Sequence, residues 1–362
     1  MPYRDFAIEY PPLALLPMVV PRLVSFGQAI SFRNYVGLFL LENLIFCVLM
    51  ALLVLQVISH WQPKPRSLRA MTAYVLLVVC CSPLLVWRYD MFPALLTLLG
   101  LLSVLIGRPT IAGIWLGFGI ATKLYPVLFI PIFSIYYLVS RQYRQLLGLF
   151  MGTVGAVCLA VLPLTLIVGE QILSFLRYHQ LRGIQIESTA AGLILLAKVL
   201  GLTKVSLNYN YGSINVDSLL ADSIIKWLPL ILILAFVIVL ISCLSCFRSE
   251  YATNGVISSE SLVAYIIAAL LVFIAFGKVF SAQYIIWLLP FASLLRQRQI
   301  VLIVAIFTIT MFIFPYDYDR LMEMQPLSII LLNLRNFMLI SLLIWLLGER
   351  LPASYKTALN RR

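Results

Sequence analysis

Long apolar runs, each closed by a short polar segment, recur along the chain from residue 34 to residue 347. Asn34–Ser59, Met71–Trp87, Phe92–Ile106, Thr110–Ile120, Leu124–Val139 and Leu146–Val168 make up the first half. Ser223–Phe247, Leu262–Phe276, Tyr284–Leu295, Ile300–Phe314 and Pro326–Leu347 make up the second. A run of about 20 apolar residues crosses a bilayer as a helix. A β-barrel would instead show short segments of alternating polarity. The pattern predicts an all-α, polytopic transmembrane helix bundle with about ten spanning helices. Thr189–Leu202 is apolar but too short to cross, and reads as a re-entrant or interfacial helix.

Charge orients the bundle. Lys64, Arg66 and Arg69 follow the first run, and Arg108, Arg141 with Arg144, Arg248, Arg296 with Arg298, and Arg350, Lys356, Arg361 and Arg362 follow alternate later ones. The positive-inside rule places these clusters in the cytoplasm. One transmembrane domain is then expected over residues 1–362. Residues 1–33 form its first extracytoplasmic loop, 169–222 a large extracytoplasmic loop holding the short helix, and 348–362 a cytoplasmic tail. Residues 1–33 lie outside with no span ahead of them, so a truncated chain lacking a first helix is expected.

Composition agrees with this parse. Of 362 residues, 62% are hydrophobic and 11% charged, and the mean hydropathy is +1.03. A soluble domain is about 45–50% apolar and about 25% charged. The net charge of +12 is explained by the basic loops, so no nucleic-acid partner is expected. The six cysteines lie in apolar runs and read as small buried hydrophobes. Cys243 and Cys246 form a CxxC at a helix end without a second pair, which supports neither zinc nor redox chemistry. Asp317 and Asp319 form a DxD at a late outer turn and read as solvated surface. No metal site and no cofactor are expected.

Four polar patches fall on the outer face. The first, Tyr3-Arg4-Asp5-Phe6 with Glu9-Tyr10-Pro11-Pro12, offers two carboxylates. A carboxylate beside an acceptor hydroxyl can serve as general base, and a solvated interfacial loop explains the same residues. The second is Trp87-Arg88-Tyr89-Asp90. Arg88 suits a phosphate, and Asp90 either orients it or caps the next helix; an interfacial aromatic belt is the plainer reading. The third, Ala121-Thr122-Lys123-Leu124-Tyr125-Pro126, sets a lysine inside an apolar stretch, where charge is costly and commonly functional. Gly113, Gly117 and Gly119 upstream point to close helix packing. The fourth joins Arg182-Gly183-Ile184-Gln185-Ile186-Glu187-Ser188 to Lys278-Val279-Phe280-Ser281-Ala282-Gln283-Tyr284. Its cations suit phosphate and its amides and carboxylate suit sugar hydroxyls, with interfacial anchoring as the alternative.

PYRDF…EYPPLALL, WRYDMFPALL, the Gly-rich run into ATKLYP, RGIQIES and KVFSAQYIIWLLP together resemble bacterial glycosyltransferase family 87, in order from residue 2 to about residue 290. The resemblance implies a GT-C fold and polyprenyl-phosphate-mannose-dependent transfer. An inverting transferase would then move a sugar, hexosyl or mannosyl, from a polyprenyl-phosphate donor to a lipid-linked or glycan acceptor outside the cytoplasm, in a bacterial-type plasma membrane. Asp5 or Glu9 would be the base, and Arg88, Lys123, Arg182 and Lys278 the ligands of the donor phosphate. Tyr10, Tyr89, Asp90, Tyr125, Gln185, Glu187, Ser281, Gln283 and Tyr284 would contact substrate. Family members carry an Asp, a Tyr and a Gly ahead of the PYRDF-like segment, and this chain begins after that point, so an inactive fragment is one expectation. A flippase of lipid-linked sugars is the alternative class; it would show repeated halves, and none is evident.

Overall fold

A computed structural model describes residues 2–6, 8–25, 30–60 and 65–350. Lys64, Lys356, Arg361, Arg362, most of the expected tail and the side chain of Arg66 lie outside the described residues. In chain order the helices are α1 (Leu15–Val24), α2 (Phe32–Ser59), α3 (Pro65–Cys80), α4 (Ser82–Leu85), α5 (Met91–Leu105), α6 (Pro109–Thr122), α7 (Phe129–Val139) and α8 (Tyr143–Val168). They continue with α9 (Ser174–Leu181), α10 (Thr189–Val199), α11 (Leu219–Asn254), α12 (Ser259–Phe276), α13 (Ile285–Ala292), α14 (Gln297–Met311), α15 (Tyr318–Met322) and α16 (Pro326–Arg350). Every apolar run therefore became a helix, and the short run at 189 became α10.

Six of these elements are long and apolar enough to cross a membrane: Phe32–Ser59, Tyr143–Leu181, Leu219–Asn254, Ser259–Phe276, Gln297–Tyr316 and Pro326–Arg350. The other expected spans are shorter apolar helices. The long outer helices expose their apolar side chains, with Leu166 and Leu219 each 86% exposed. Such surface is tolerable only in lipid. The protein is an integral membrane protein.

Two expected loops carry structure of their own. The 1–33 segment holds α1, and the 169–222 segment holds a three-stranded antiparallel sheet beside α10. The sheet comprises β1 (Ile184–Gln185), β2 (Ser206–Asn210) and β3 (Ser213–Asp217), in the order β1-β3-β2. Tyr211 and Gly212 take positive φ at the β2–β3 turn, as a tight hairpin requires. Asp317 corrects another expectation: it is buried, accepting from Ser328 Oγ at 2.5 Å and pairing with Arg320 at 3.5 Å. The Ser328 hydroxyl of α16 and the Arg320 guanidinium hold it, whereas Asp319 stays exposed.

The chain divides into two compact units, residues 1–180 with 285–294, and residues 181–284 with 295–362. In the first, α6 and α8 pack through glycines. A Cβ on Gly113 would stand 2.1 Å from the Leu149 carbonyl oxygen, and one on Gly117 2.5 Å from that of Thr153. Gly152 reciprocates against Thr110. Small residues let membrane helices approach to backbone contact. The turn after α5 sends α6 back beside it, so the start of α5 and the end of α6 share one end of the unit.

In the second unit α12 is the core helix. Its apolar window is 78% buried, against 22% for α11. Ser258 caps α12 through the Ser261 amide. At that end Arg296 pairs with Glu260 and Glu349, and Arg350 with Glu260. Arg296 and Arg350, both expected on the cytoplasmic side, thus meet at one end of the unit. The 18 residues of α12, at about 1.5 Å each, put Lys278 at the opposite end.

Candidate functional site

The first unit gathers the first three patches. Asn43, buried in α2, donates from Nδ2 to the carbonyls of Leu85 and Arg88. It thereby fixes the Trp87–Asp90 turn at the start of α5. Thr122 ends α6, and Lys123 takes an extended conformation (φ −158°, ψ 142°) ahead of the Tyr125-Pro126 turn. The two turns meet there. Asp90 Oδ1 accepts from Lys123 Nζ at 2.6 Å and from Trp287 Nε1 at 2.6 Å. Asp90 is 1% exposed. Three roles were expected for it: orienting Arg88, capping α5, or contacting substrate. Its side chain makes no cap hydrogen bond; Oδ1 is bonded to Lys123 and Trp287 instead.

Aromatic rings enclose this pair. Lys123 Nζ lies 5.1–5.3 Å from the ring centroids of Tyr10, Tyr89 and Trp287, within cation–π range. Tyr125 stacks on Trp287 at 4.2 Å and 7°, and Tyr10 meets Tyr89 edge-on at 5.1 Å. Tyr3 Oη donates to the Tyr10 carbonyl at 2.7 Å, tying down the first segment. Burial pushes the Tyr3 hydroxyl up to about 12, so it stays a donor. The Tyr10 hydroxyl is raised well above its ordinary value by burial, and further by Glu9 and Asp90.

The two candidate bases separate. Glu9 acts electrostatically on both Tyr10 and Lys123, and so does Arg88. Asp5 is an exposed residue whose Oδ1 pairs with Arg4 Nε at 3.0 Å. The buried Nε of Arg88 finds no hydrogen-bond partner among the described residues.

The second unit gathers the fourth patch. The Gln185 amide N–H donates to the Lys278 carbonyl at 3.0 Å, and Lys278 Nζ donates to the Arg182 carbonyl at 2.7 Å. The two motifs thus clasp each other. Arg182 Nε donates to Ser213 Oγ on β3. Gln185 Nε2 donates to Glu187 Oε2 at 2.9 Å, and Gln185 Oε1 accepts from Ser281 Oγ at 3.2 Å. Gln283 and Tyr284 are buried beside them in the chain. Burial lowers the Lys278 amine below its usual range, and the Arg182 charge adds to the effect.

Three residues escaped the reading of the sequence. Trp287 stands inside a quoted motif, but nothing in its spacing revealed the bond to Asp90. Glu42, in α2, has a buried Oε2 without a hydrogen-bond partner among the described residues. Arg335, in α16, is fully buried. The signal for the last two was visible: an ionisable residue in mid-span is costly and calls for an explanation.

Six helices long and apolar enough to cross a membrane, with polar clusters at helix ends, define an integral membrane protein. A family model described as glycosyltransferase family 87 matches residues 8–273. That is well over half of the chain, and the chain belongs to this family of glycosyltransferases. Among solved structures it is similar to the crystal structure of ArnT from Cupriavidus metallidurans bound to undecaprenyl phosphate, at 14% identity, with 94% of this chain and 67% of that chain covered and a TM-score of 0.46. No curated protein matches the chain.

Proposed function

We propose that this membrane glycosyltransferase is an inverting enzyme of the GT-C type, acting at the extracytoplasmic face with a polyprenyl-phosphate hexose, mannose first among them, as donor. A lipid-linked sugar or glycan is the acceptor. The observation that carries the reading is the meeting of Glu9, Arg88, Tyr10 and the Asp90–Lys123 pair at one end of the α5–α6 hairpin. A carboxylate and cations at a helix end fit a substrate with a hydroxyl to deprotonate and a phosphate to displace.

In this reading Glu9 takes the proton of the acceptor hydroxyl. The freed oxygen attacks the anomeric carbon from the face opposite the phosphate. The bond from that carbon to the phosphate oxygen breaks, and polyprenyl phosphate leaves with the bonding pair. Cations stabilise the charge that grows on the leaving oxygen, where stabilisation accelerates the step. Arg88, with a donor unspent, is the candidate for that contact. Separately, the family resemblance makes Arg182 and Lys278 of the second unit candidate phosphate ligands. Lys123 is held by Asp90 and contributes a fixed charge. Tyr10, Tyr89 and Tyr125 offer ring faces and edges to the sugar or the lipid chain. Gln185, Glu187, Ser281, Gln283 and Tyr284 are the candidate hydroxyl contacts.

The test uses membranes containing the chain, given a panel of radiolabelled polyprenyl-phosphate sugars and a membrane lipid extract as acceptor. Transfer of label with inversion at the anomeric carbon is expected, mannose giving the fastest rate. Absence of transfer across the panel would overturn the reading.

A further inference from the structure

Arg335 lies outside the family-matched window and belongs to none of the motifs quoted above. It sits in the middle of α16, is fully buried, and keeps a guanidinium that proteins do not deprotonate. Nη2 donates to the Glu187 carbonyl at 2.7 Å. The guanidinium carbon stands 3.8 Å from the centroid of the Phe280 ring, a cation–π contact. Nε and Nη1 have no hydrogen-bond partner among the described residues.

This is a poor design for stability. A buried cation with two unpartnered nitrogens, which carry three N–H bonds, is unfavourable, and apolar residues of similar volume often replace buried charges at no cost in stability. What the arrangement supplies is a link. Arg335 touches the RGIQIES segment through the Glu187 carbonyl and the KVFSAQY segment through the Phe280 ring. Glu187 in turn carries the carboxylate that accepts from Gln185 Nε2. That bond turns Gln185 Oε1 toward Ser281 Oγ. The order runs from Arg335 through Glu187 and Gln185 to Ser281.

We propose that Arg335 is a positioning residue: through Glu187 it fixes Gln185 and Ser281, and so sets the geometry of the sugar-contacting mesh in the second unit. The assignment of that mesh to sugar rests on the function proposed above; the mechanical link does not. Arg335→Met keeps the volume beside Phe280, so a cation that merely filled space would leave the KVFSAQY segment as it is under that substitution.

The experiment reads the segment without any transfer assay. Ala282 is 2% exposed, and Ala282→Cys places a reporter next to Ser281. Cys158, which is exposed, and Cys80, which is partly exposed, are changed to Ser. Buried Cys243 serves as internal standard within the same unit. The purified full chain is labelled with a water-soluble maleimide, and the rate at position 282 is divided by the rate at Cys243. The ratio is expected to rise at least tenfold in Arg335→Met and about threefold in Arg335→Lys, which keeps the charge but not the planar fork. A ratio unchanged in Arg335→Lys overturns the proposal, and general loosening of the unit in Arg335→Met, which raises both rates, is read as unchanged.

A transfer assay adds a second readout. Arg335→Lys and Gln185→Leu are each expected to lower kcat/KM about tenfold, with the double variant no more than threefold below either. Multiplicative losses in the double variant would place the two residues on separate tasks and overturn the link. If the parent chain transfers no sugar, the labelling ratio still decides on Arg335, and the failure belongs to the function proposed above.

Discussion

The polar clusters of the two units are built on opposite principles. In the first, one buried carboxylate and one buried lysine neutralise each other at 2.6 Å inside a box of aromatic rings. In the second, Arg182, Lys278 and Arg335 attach to backbone carbonyls and a serine hydroxyl, and amide and hydroxyl bonds knit two chain segments. The first spends its charges on each other and is sensitive to losing either. The second keeps excess positive charge and spreads its bonds over many atoms. The difference separates charges paired with each other from charges attached to neutral groups.

Breaking the buried pair should give the largest effect. Removing one partner of a buried ion pair costs about 3–5 kcal/mol, so Asp90→Leu is expected to lower the melting temperature sharply and to abolish transfer. Adding Lys123→Met to Asp90→Leu should restore most of the melting temperature, read by thermal unfolding in detergent, but not the transfer. Recovered transfer would reduce the pair to scaffolding.

Glu9→Gln comes next. Loss of a general base lowers kcat by roughly 10²–10⁴-fold, and the melting point should hold, since Glu9 is only partly buried. Asp5→Asn should leave kcat within about twofold, because its exposed pairing with Arg4 is screened. The reverse ranking in single-turnover transfer would move the base to Asp5.

Lys278→Met probes the open cluster. Loss of one charge-assisted bond to a donor phosphate, worth about 1.5–3 kcal/mol, should raise the donor KM by roughly tenfold or more. The effect should fade at high salt. A fall in kcat at unchanged KM would instead assign Lys278 to the transition state.

Trp287→Phe should be mildest. It keeps a ring against Tyr125 but removes the indole N–H from Asp90, which retains Lys123. About 1 kcal/mol of stability and a few-fold in kcat/KM are the expected losses, measured side by side with Asp90→Leu. A loss as large as that of Asp90→Leu would make the indole, not the lysine, the main partner of Asp90.

The helices were legible because lipid imposes a rule that acts on every residue of a span. Runs such as Leu262–Phe276 and Pro326–Leu347 fall within α12 and α16 because backbone groups in hydrocarbon must bond within the segment. Gly113 and Gly117 announced the α6–α8 contact, since only backbone approach rewards such residues there. The charged patches were also marked, by the cost of charge at membrane depth. By itself, then, the sequence determined the spanning architecture, the family, and a roster of polar residues at helix ends.

Partnership was decided in three dimensions. Asp90, Lys123 and Trp287 are far apart in the chain and carry no mark of belonging together. Nothing in the first segment announces that the Tyr3 hydroxyl folds back onto the Tyr10 carbonyl. Arg335 reads as a flaw in an apolar helix until Glu187 and Phe280 are seen around it. Periodicity and composition sum over one segment at a time, whereas a hydrogen bond depends on where two segments meet, so only the tertiary structure could say which charges are paired with each other and which attach to neutral groups.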